Sequence, residues 1–399
     1  MVKKKIARIR SKLDIDSNKT SLQISDRKYQ KSIDKNLAMC GGINGEYLRE
    51  FYNYLITKGD KIRSLEIKVK IIRYFNDFLS KEKRSNPLMH RPKKNEEEKI
   101  QVVPGKDFKK VDRKDIEGFF AYKKDLAGRT KESYKIHLKN FFQWLYKCNA
   151  KKKEYPEVVD WIVTKNIQRD FVKEYELISK DTIKKLCDKC NYLRDKCMIM
   201  MLYDGALRIS ELCDLKIQDV NIDEYGIKIN VIEGKTGSRK IRLVESVPVL
   251  KEWLNKHPFK EDKEKNLFVC IGSNFGKPIV PQGAYKMIEK TAKRAGIKQH
   301  INPHRFRHTR LTELAKEGYN ENDLRLFAGW SKSSQMPEVY IHYSEKDLDN
   351  KVLFKNNLRN DKEMKEELKK REEEKLKLKP VPCPQCMELN DANNEFCYK

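Results

Sequence analysis

The sequence predicts a mainly α protein with one small β-hairpin, an α+β fold carried by two principal domains. Three observations support this. The chain has 399 residues, more than one ordinary domain holds. Apolar residues recur at helical spacing through most of it, as in Tyr47, Phe51, Tyr52 and Leu55. Strand-like alternation is confined to Ile227, Ile229 and Val231, then Ile241 and Leu243, across the turn Gly234-Lys235-Thr236-Gly237-Ser238.

Taken in order, residues 1–35 are rich in Lys, Arg, Ser and Asp and predict a mobile basic arm. It is either a solvated tail or an arm that touches phosphates. Residues 36–150 form a helical domain. Its first helix carries the Tyr47–Leu55 set. In the second, Ser64 is the expected cap and Ile67, Ile71, Phe75, Phe78 and Leu79 the apolar face. Ser85-Asn86-Pro87 and Arg91-Pro92-Lys93-Lys94 mark a long exposed loop. A third helix fits Asp112 to Tyr122, with Ile116, Phe119 and Phe120 inward. A fourth runs from the expected N-cap Thr130 through Tyr134, Leu138, Phe141, Phe142 and Leu145. Lys135, His137 and Lys139 fall on its polar side. Short amphipathic helices with basic outer faces make a helical bundle.

Residues 151–176 are expected to be a linker, with Val158-Val159 and Trp161-Ile162 docked on one of the domains. The second domain spans 177–355. Ser179 or Asp181 caps its first helix, which carries Ile183 and Leu186. A buried helix holds Met198, Met200, Met201 and Leu202, and the hairpin follows. Further helices begin at Pro248 and Tyr285, with Gly318, Gly329 and Pro337 as breaks. Residues 356–380 are a charged helix or spacer, and 381–399 a cysteine-bearing tail.

Lys and Arg number 86 against 59 Asp and Glu, a formal charge of +27 that points to a polyanion, with nucleic acid first. The basic residues are spread over folded segments, which argues against a membrane surface. The sequence contains neither a bilayer-length apolar run nor a signal-peptide core, so a cytoplasmic, nucleoid-associated protein is expected. Cys40, Cys148, Cys197, Cys213 and Cys270 lie among apolar residues and predict reduced thiols. Cys187 and Cys190 are expected on one helix face and not at a metal.

Cutting and rejoining a DNA strand without external energy needs three things. A nucleophile must store the bond energy in a covalent intermediate. Positive donors must neutralise the non-bridging oxygens. A proton donor must reach the leaving sugar oxygen. The chain offers Arg208, in Gly205-Ala206-Leu207-Arg208-Ile209-Ser210-Glu211-Leu212, where Ser210 could cap the following helix. It then offers Lys235 in the hairpin, His304 and Arg307 in His304-Arg305-Phe306-Arg307-His308, Gly329-Trp330, and Tyr340-Ile341-His342. Arg208 and Arg307 can clamp a phosphate. Lys235 can reach the leaving oxygen, His304 can handle the proton of the attacking hydroxyl, and Trp330 offers an indole N–H.

In this order the set resembles the active site of the tyrosine recombinases, the phage integrase family: an arginine box, a hairpin lysine, H-x-x-R, a His or Trp after glycine, then the tyrosine. The likeness covers about Ile178 to Leu348, and more loosely the helices from Gly45 to Tyr146. It implies a helical core-binding domain and a catalytic domain clamping double-stranded DNA as a C shape. It also implies Tyr340 as nucleophile, a 3′-phosphotyrosyl link, and neither metal nor nucleotide in catalysis. A homotetramer on paired sites is implied, monomeric or dimeric without DNA. Trp330 stands where histidine is commoner, Arg305 where an acidic or neutral residue is usual, and Pro337 is unusual so near the tyrosine. Tyr343 competes with Tyr340, which alone carries the family's Tyr-x-His. A type IB topoisomerase would use similar chemistry, and a DNA-binding protein without activity would suit the charge equally well.

Cys383-Pro384-Gln385-Cys386 and Cys397 have the spacing of three ligands of a zinc ribbon, the fourth falling past Lys399 or coming from elsewhere. Three free thiols are the other reading.

Overall fold

The computed structural model describes residues 21–80, 102, 104–165, 177–234, 237–272, 274–341, 352–353, 366, 369–370, 372–374, 376–391 and 397. The chain divides into two compact units, one over residues 25–168 and one that includes 169–399.

The first unit is helical. Its elements are α1 (Ser21–Met39), α2 (Gly42–Thr57), α3 (Ile62–Leu79), α4 (Arg113–Tyr122), α5 (Gly128–Leu145) and the single turn α6 (Glu157–Asp160). Their apolar stripes close on Leu48, Phe51, Val69, Ile72, Phe75, Phe119, Leu138, Phe141 and Phe142. Edge-on aromatic pairs, such as Phe51 with Phe141 at 5.1 Å, give the core its shape.

Four expectations are corrected here. The arm does not reach residue 35: α1 is helical from Ser21 and drives Ile33 fully into the core. Ser64 is not a cap, since α3 starts at Ile62 after Lys61, and its inward face is Leu65, Val69 and Ile72, leaving Ile67 exposed. Thr130 lies inside α5, whose cap is Ala127. His137 is not on the polar side; its Nδ1 is buried without a partner, and burial, with Lys68 beside it, lowers the ring's pKa to about 4. Asp112 does cap α4, in a capping box with Asp115. The first part of the expected linker belongs to this unit, because Val159 and Ile162 enter its core.

The second unit is α+β. It contains α7 (Lys180–Asp188), α8 (Leu193–Asp204), α9 (Ile209–Asp214), β1 (Val220–Asp223), β2 (Gly226–Gly234), β3 (Gly237–Leu243), α10 (Val247–Lys256), α11 (Pro281–Arg294), α12 (Pro303–Lys316), α13 (Glu321–Ala328) and a small hairpin of β4 (Val381–Pro382) and β5 (Leu389–Asn390). Helix α8 is apolar almost all round and is correspondingly buried, with α7, α10 and α12 against it. The expected β-hairpin is β2–β3, with Ile229 opposite Ile241 and Ile227 opposite Leu243, all facing the core. The third strand, β1, pairs antiparallel with β2 and is largely exposed, so it lacks the alternation that would reveal it.

In the segment expected to be a charged helix or spacer, residues 372–374 and 376 are helical, but its end does not stay exposed. Leu378 is buried in the core of this unit and Leu389 packs against it. Lys377 pairs with Asp181 at 2.7 Å, Lys251 with Glu388 at 2.5 Å and Lys196 with Asp391 at 2.9 Å. The cysteine hairpin is thereby fastened to α8 and α10. All ten cysteines are free thiols. Cys190 lies beyond the end of α7, so the two thiols do not share a helix face as expected; burial pushes the Cys187 thiol well up and Cys190 to about 12, which keeps both protonated. Among the described residues, no helix is long and apolar enough to cross a membrane.

Candidate active site

The site is assembled around the C-terminal end of α13. That helix stops at Gly329, which takes the left-handed conformation (φ 62°) and leaves the last carbonyls without helical partners. Three arginines collect them. Arg239 Nε donates to Phe327 O at 3.0 Å, Arg307 Nη2 to Ala328 O at 2.6 Å, and Arg208 Nη2 to Gly329 O at 3.3 Å. Cations are favoured there by the helix dipole as well as by hydrogen bonding. A Cβ on Gly329 would lie 2.5 Å from an Arg239 nitrogen, so glycine is needed for space as well as for φ.

Three guanidiniums so close need a counter-charge, and Glu211 supplies it. It accepts from Arg239 Nη1 and Nη2 at 3.0 and 2.8 Å, from Arg208 Nη1 at 2.5 Å, and from the Arg208 backbone N–H at 2.8 Å. Burial works against its ionisation. The bonds and charges of Arg239 and Arg208 outweigh that and hold the carboxyl at about 2. The same contacts cap α9: Arg208 is its N-cap and Glu211 reaches back to it, so the capping role expected of Ser210 falls to Glu211.

Arg307 is buried, and its other donor, Nη1, meets Ala206 O at 2.5 Å. Ala206 sits at φ 44°, a conformation that costs an L-residue energy, and this turn brings its carbonyl to Arg307. Burial, and then the charge of Arg208, lower Arg307 to about 10, so it stays charged at neutral pH. Its guanidinium lies 5.4 Å from the centre of the Trp330 ring. Trp330 in turn stacks on Tyr340 with ring centroids 5.7 Å apart and planes at 22°.

Tyr340 is buried, in a helical turn at residues 338–341. Burial raises its phenol well above the ordinary value, with Arg307 opposing the shift. Its hydroxyl lies 2.6 Å from His308 Nδ1, one residue beyond Arg307 on α12. His304 stands one turn earlier, its ring 6.2 Å from that of His308. Burial first, then Arg307 and Arg208, lower its pKa, so at neutral pH its ring is unprotonated.

The structure thus brings together Arg208, His304, Arg307, Trp330 and Tyr340. Lys235, His342 and Tyr343 lie outside the described residues. Sequence reasoning missed Arg239, Glu211 and His308 as members of the cluster. Glu211 and His308 were visible within the quoted motifs, three residues after Arg208 and one after Arg307. Arg239 could have been suspected only from its place beside the hairpin turn. Arg305, in place of the usual acidic or neutral residue, has no part in capping α12, because Asn302 is the N-cap and its side chain accepts from Arg305 N at 3.1 Å.

The second possible site is the tail. The Sγ atoms of Cys383, Cys386 and Cys397 lie within 4.8 Å of one another, and Cys386 and Cys397 are 3.6 Å apart. Thiolates at zinc bond length on a tetrahedron sit about 3.8 Å apart, so the three can share one ion. The Cys383 thiol is pulled below its usual value by the backbone N–H of Cys386 and then that of Gln385. Met387, at φ 57°, turns the chain so that its N–H bonds Cys383 O at 2.9 Å.

The second unit is thus an α+β unit with an arginine cluster beside the stacked Trp330 and Tyr340, an arrangement suited to holding a phosphate. Residues 176–347 match the phage integrase family. The tyrosine recombinase of Pseudothermotoga lettingae is 31% identical over 220 residues, covering 54% of this chain and 72% of the relative. That of Thermosipho africanus is 26% identical over 292 residues, 70% of this chain and 96% of the relative. The fold is similar to that of XerH recombinase in its post-cleavage complex with palindromic difH substrate, at a TM-score of 0.53 and 20% identity over 74% of this chain and 81% of that one. The chain belongs to the tyrosine recombinase, or phage integrase, family, whose enzymes break and rejoin DNA strands.

Proposed function

We propose that this chain is a site-specific recombinase acting on double-stranded DNA, with Tyr340 as its nucleophile. The observation that carries the reading is the contact chain from Arg307 through Trp330 to Tyr340. It sets the charged Arg307 guanidinium against the Trp330 ring, which is stacked on the Tyr340 phenol.

The tyrosine oxygen attacks phosphorus, forming a 3′-phosphotyrosyl bond as the bond to the 5′ oxygen breaks. Arg208 and Arg307 hold the non-bridging oxygens, which carry the extra charge of the transition state. Trp330 adds one N–H donor and a flat wall. Its indole N–H has no protein acceptor among the described residues. His304, neutral and beside both arginines, completes the phosphate pocket. Lys235 protonates the leaving 5′ oxygen. The reverse sequence reseals the strand, so the energy of the phosphodiester is conserved. Metal and nucleotide have no part in these steps. Assembly as a tetramer on two paired DNA sites completes the reading; among structural neighbours, lambda integrase is solved as a tetramer bound to a Holliday junction. At the tail, Cys383, Cys386 and Cys397 hold a structural zinc that has no role in cleavage.

The test uses a nicked duplex that traps the covalent complex, resolved on a denaturing gel. The wild-type chain forms an adduct, and Tyr340→Phe abolishes it while binding DNA as before. Adduct from Tyr340→Phe, together with its loss in Tyr343→Phe, would move the nucleophile to Tyr343. Absence of any adduct across selected DNAs would leave a binding protein.

A further inference from the structure

We propose that His308 is the base that takes the proton from Tyr340, a role that rests on Tyr340 being the nucleophile. A phenol must lose its proton as it bonds to phosphorus, and this one is buried, so water is poorly placed to receive it. Across the described contacts of the hydroxyl, the group in hydrogen-bonding range is His308 Nδ1, at 2.6 Å. His304 is the sequence's own candidate for that proton, but its ring is 6.2 Å from that of His308 and lies toward the arginines. Geometry takes precedence in choosing between two bases on one helix face.

The pairing is held from both sides. His308 is fixed by α12, whose Arg307 is anchored to Ala206 O and Ala328 O. Tyr340 is held by the Trp330 ring stacked on it, and the His308 and Tyr340 rings are themselves 5.7 Å apart. The phenol therefore presents its hydroxyl to a nitrogen whose position is set by the same helix that carries the phosphate-binding arginine. Base and phosphate clamp are carried by one helix, α12, and the nucleophile on the separate turn at 338–341 meets that helix through His308, the kind of fixed placement that preorganised catalysis requires.

The step balances as follows. His308 is in the tautomer with hydrogen on Nε2, so that Nδ1 accepts. As the tyrosine oxygen bonds to phosphorus, its O–H pair stays on oxygen and the proton moves to Nδ1. The bond from phosphorus to the 5′ oxygen breaks, and that oxygen takes a proton from Lys235. On resealing, Lys235 regains its proton from the attacking 5′-hydroxyl, and the His308 imidazolium returns the other to the departing phenolate.

The experiment measures single-turnover adduct formation by the full chain on a nicked duplex built on the sequence it retrieves from random DNA. His308→Asn places an amide oxygen close to the position of Nδ1, which can accept the hydrogen bond but cannot carry the proton. We expect it to slow adduct formation about a hundredfold, the scale of a lost general base. Fluorotyrosine at position 340, a more acidic phenol, should recover most of that loss in His308→Asn and change the wild type by only a few-fold. DNA affinity and thermal midpoint report folding. Should His308→Asn fail to fold, His308→Gln carries the same comparison. A His308 variant that cleaves at or above the wild-type rate shows the contact to be only a resting-state dock, and overturns the proposal. So does a slow variant that fluorotyrosine does not rescue, which would mean His308 only positions the ring. Adduct from Tyr340→Phe would instead overturn the nucleophile reading itself.

Discussion

At the scale of single residues, Glu211 sets the electrostatics of the site. Without its charge, Arg208, Arg239 and Arg307 would repel one another around the end of α13. Its carboxyl is held at about 2, against an ordinary value of 4.5. Its folded pKa is thus depressed, so the stabilisation is fully present above the unfolded value and is lost as pH falls through the folded one. The shift corresponds to on the order of 3 kcal/mol. Glu211→Gln should therefore lower the thermal midpoint at neutral pH, and the gap from wild type should close as pH falls from about 4.5 toward 2. A gap that persists unchanged at the low end would mean that shape and not charge is what Glu211 contributes. Cleavage should fall in the same variant, because Arg208 loses the partner that orients it.

At the scale of elements, the cysteine hairpin is part of the catalytic unit's packing. β5 lies against α10, Leu389 touches the core, and Glu388 and Asp391 pair with Lys251 and Lys196. Zinc held by three thiolates, as proposed, would leave one position for a further ligand, so affinity should be lower than in a four-cysteine site. The full chain should take up one zinc, and Cys383→Ser should lose most of it and lower the thermal midpoint of the second unit. Cleavage by the purified protein should survive a chelator. Zinc uptake unchanged in Cys383→Ser would remove the site, and cleavage stopped by the chelator would give the metal a role that the proposed mechanism lacks.

For the whole molecule, a formal charge of +27 predicts DNA affinity that falls steeply with salt, since each phosphate contact releases counterions. The basic start of the chain divides at α1. Removing residues 1–20 should flatten the plot of log affinity against log salt if that segment touches phosphate, without loss of thermal stability. Removing residues 1–35 should also destabilise the helical unit, because Ile33 goes with them; emptying a buried aliphatic site costs roughly 2–5 kcal/mol. Equal slopes for the full chain and the shorter deletion would make the segment a bystander. Equal thermal midpoints for the two deletions would show that α1 is dispensable to the core.

The sequence by itself determined the helical bundle, the β2–β3 hairpin and the ordered set Arg208, His304, Arg307, Trp330 and Tyr340. These are legible because they follow periodicity or a motif with fixed order, both local properties. Helix starts were less legible: Ser64, Thr130 and Ser210 are good caps by residue type, yet packing of Leu65 and Val69 and the reach of Glu211 decided the boundaries. Strand β1 was hidden because most of it faces solvent, so burial imposes no alternation on it. Only the tertiary structure could decide that α1 belongs to the core, that Leu378 is buried, and that His308 rather than His304 meets the tyrosine. The last depends on a contact between residues 32 positions apart, which no spacing rule encodes. Likewise Arg239 joins Glu211 across 28 residues because the hairpin folds back over α13. Chemistry-bearing residue types are chosen by sequence, but which of them touch is chosen by how the helices close.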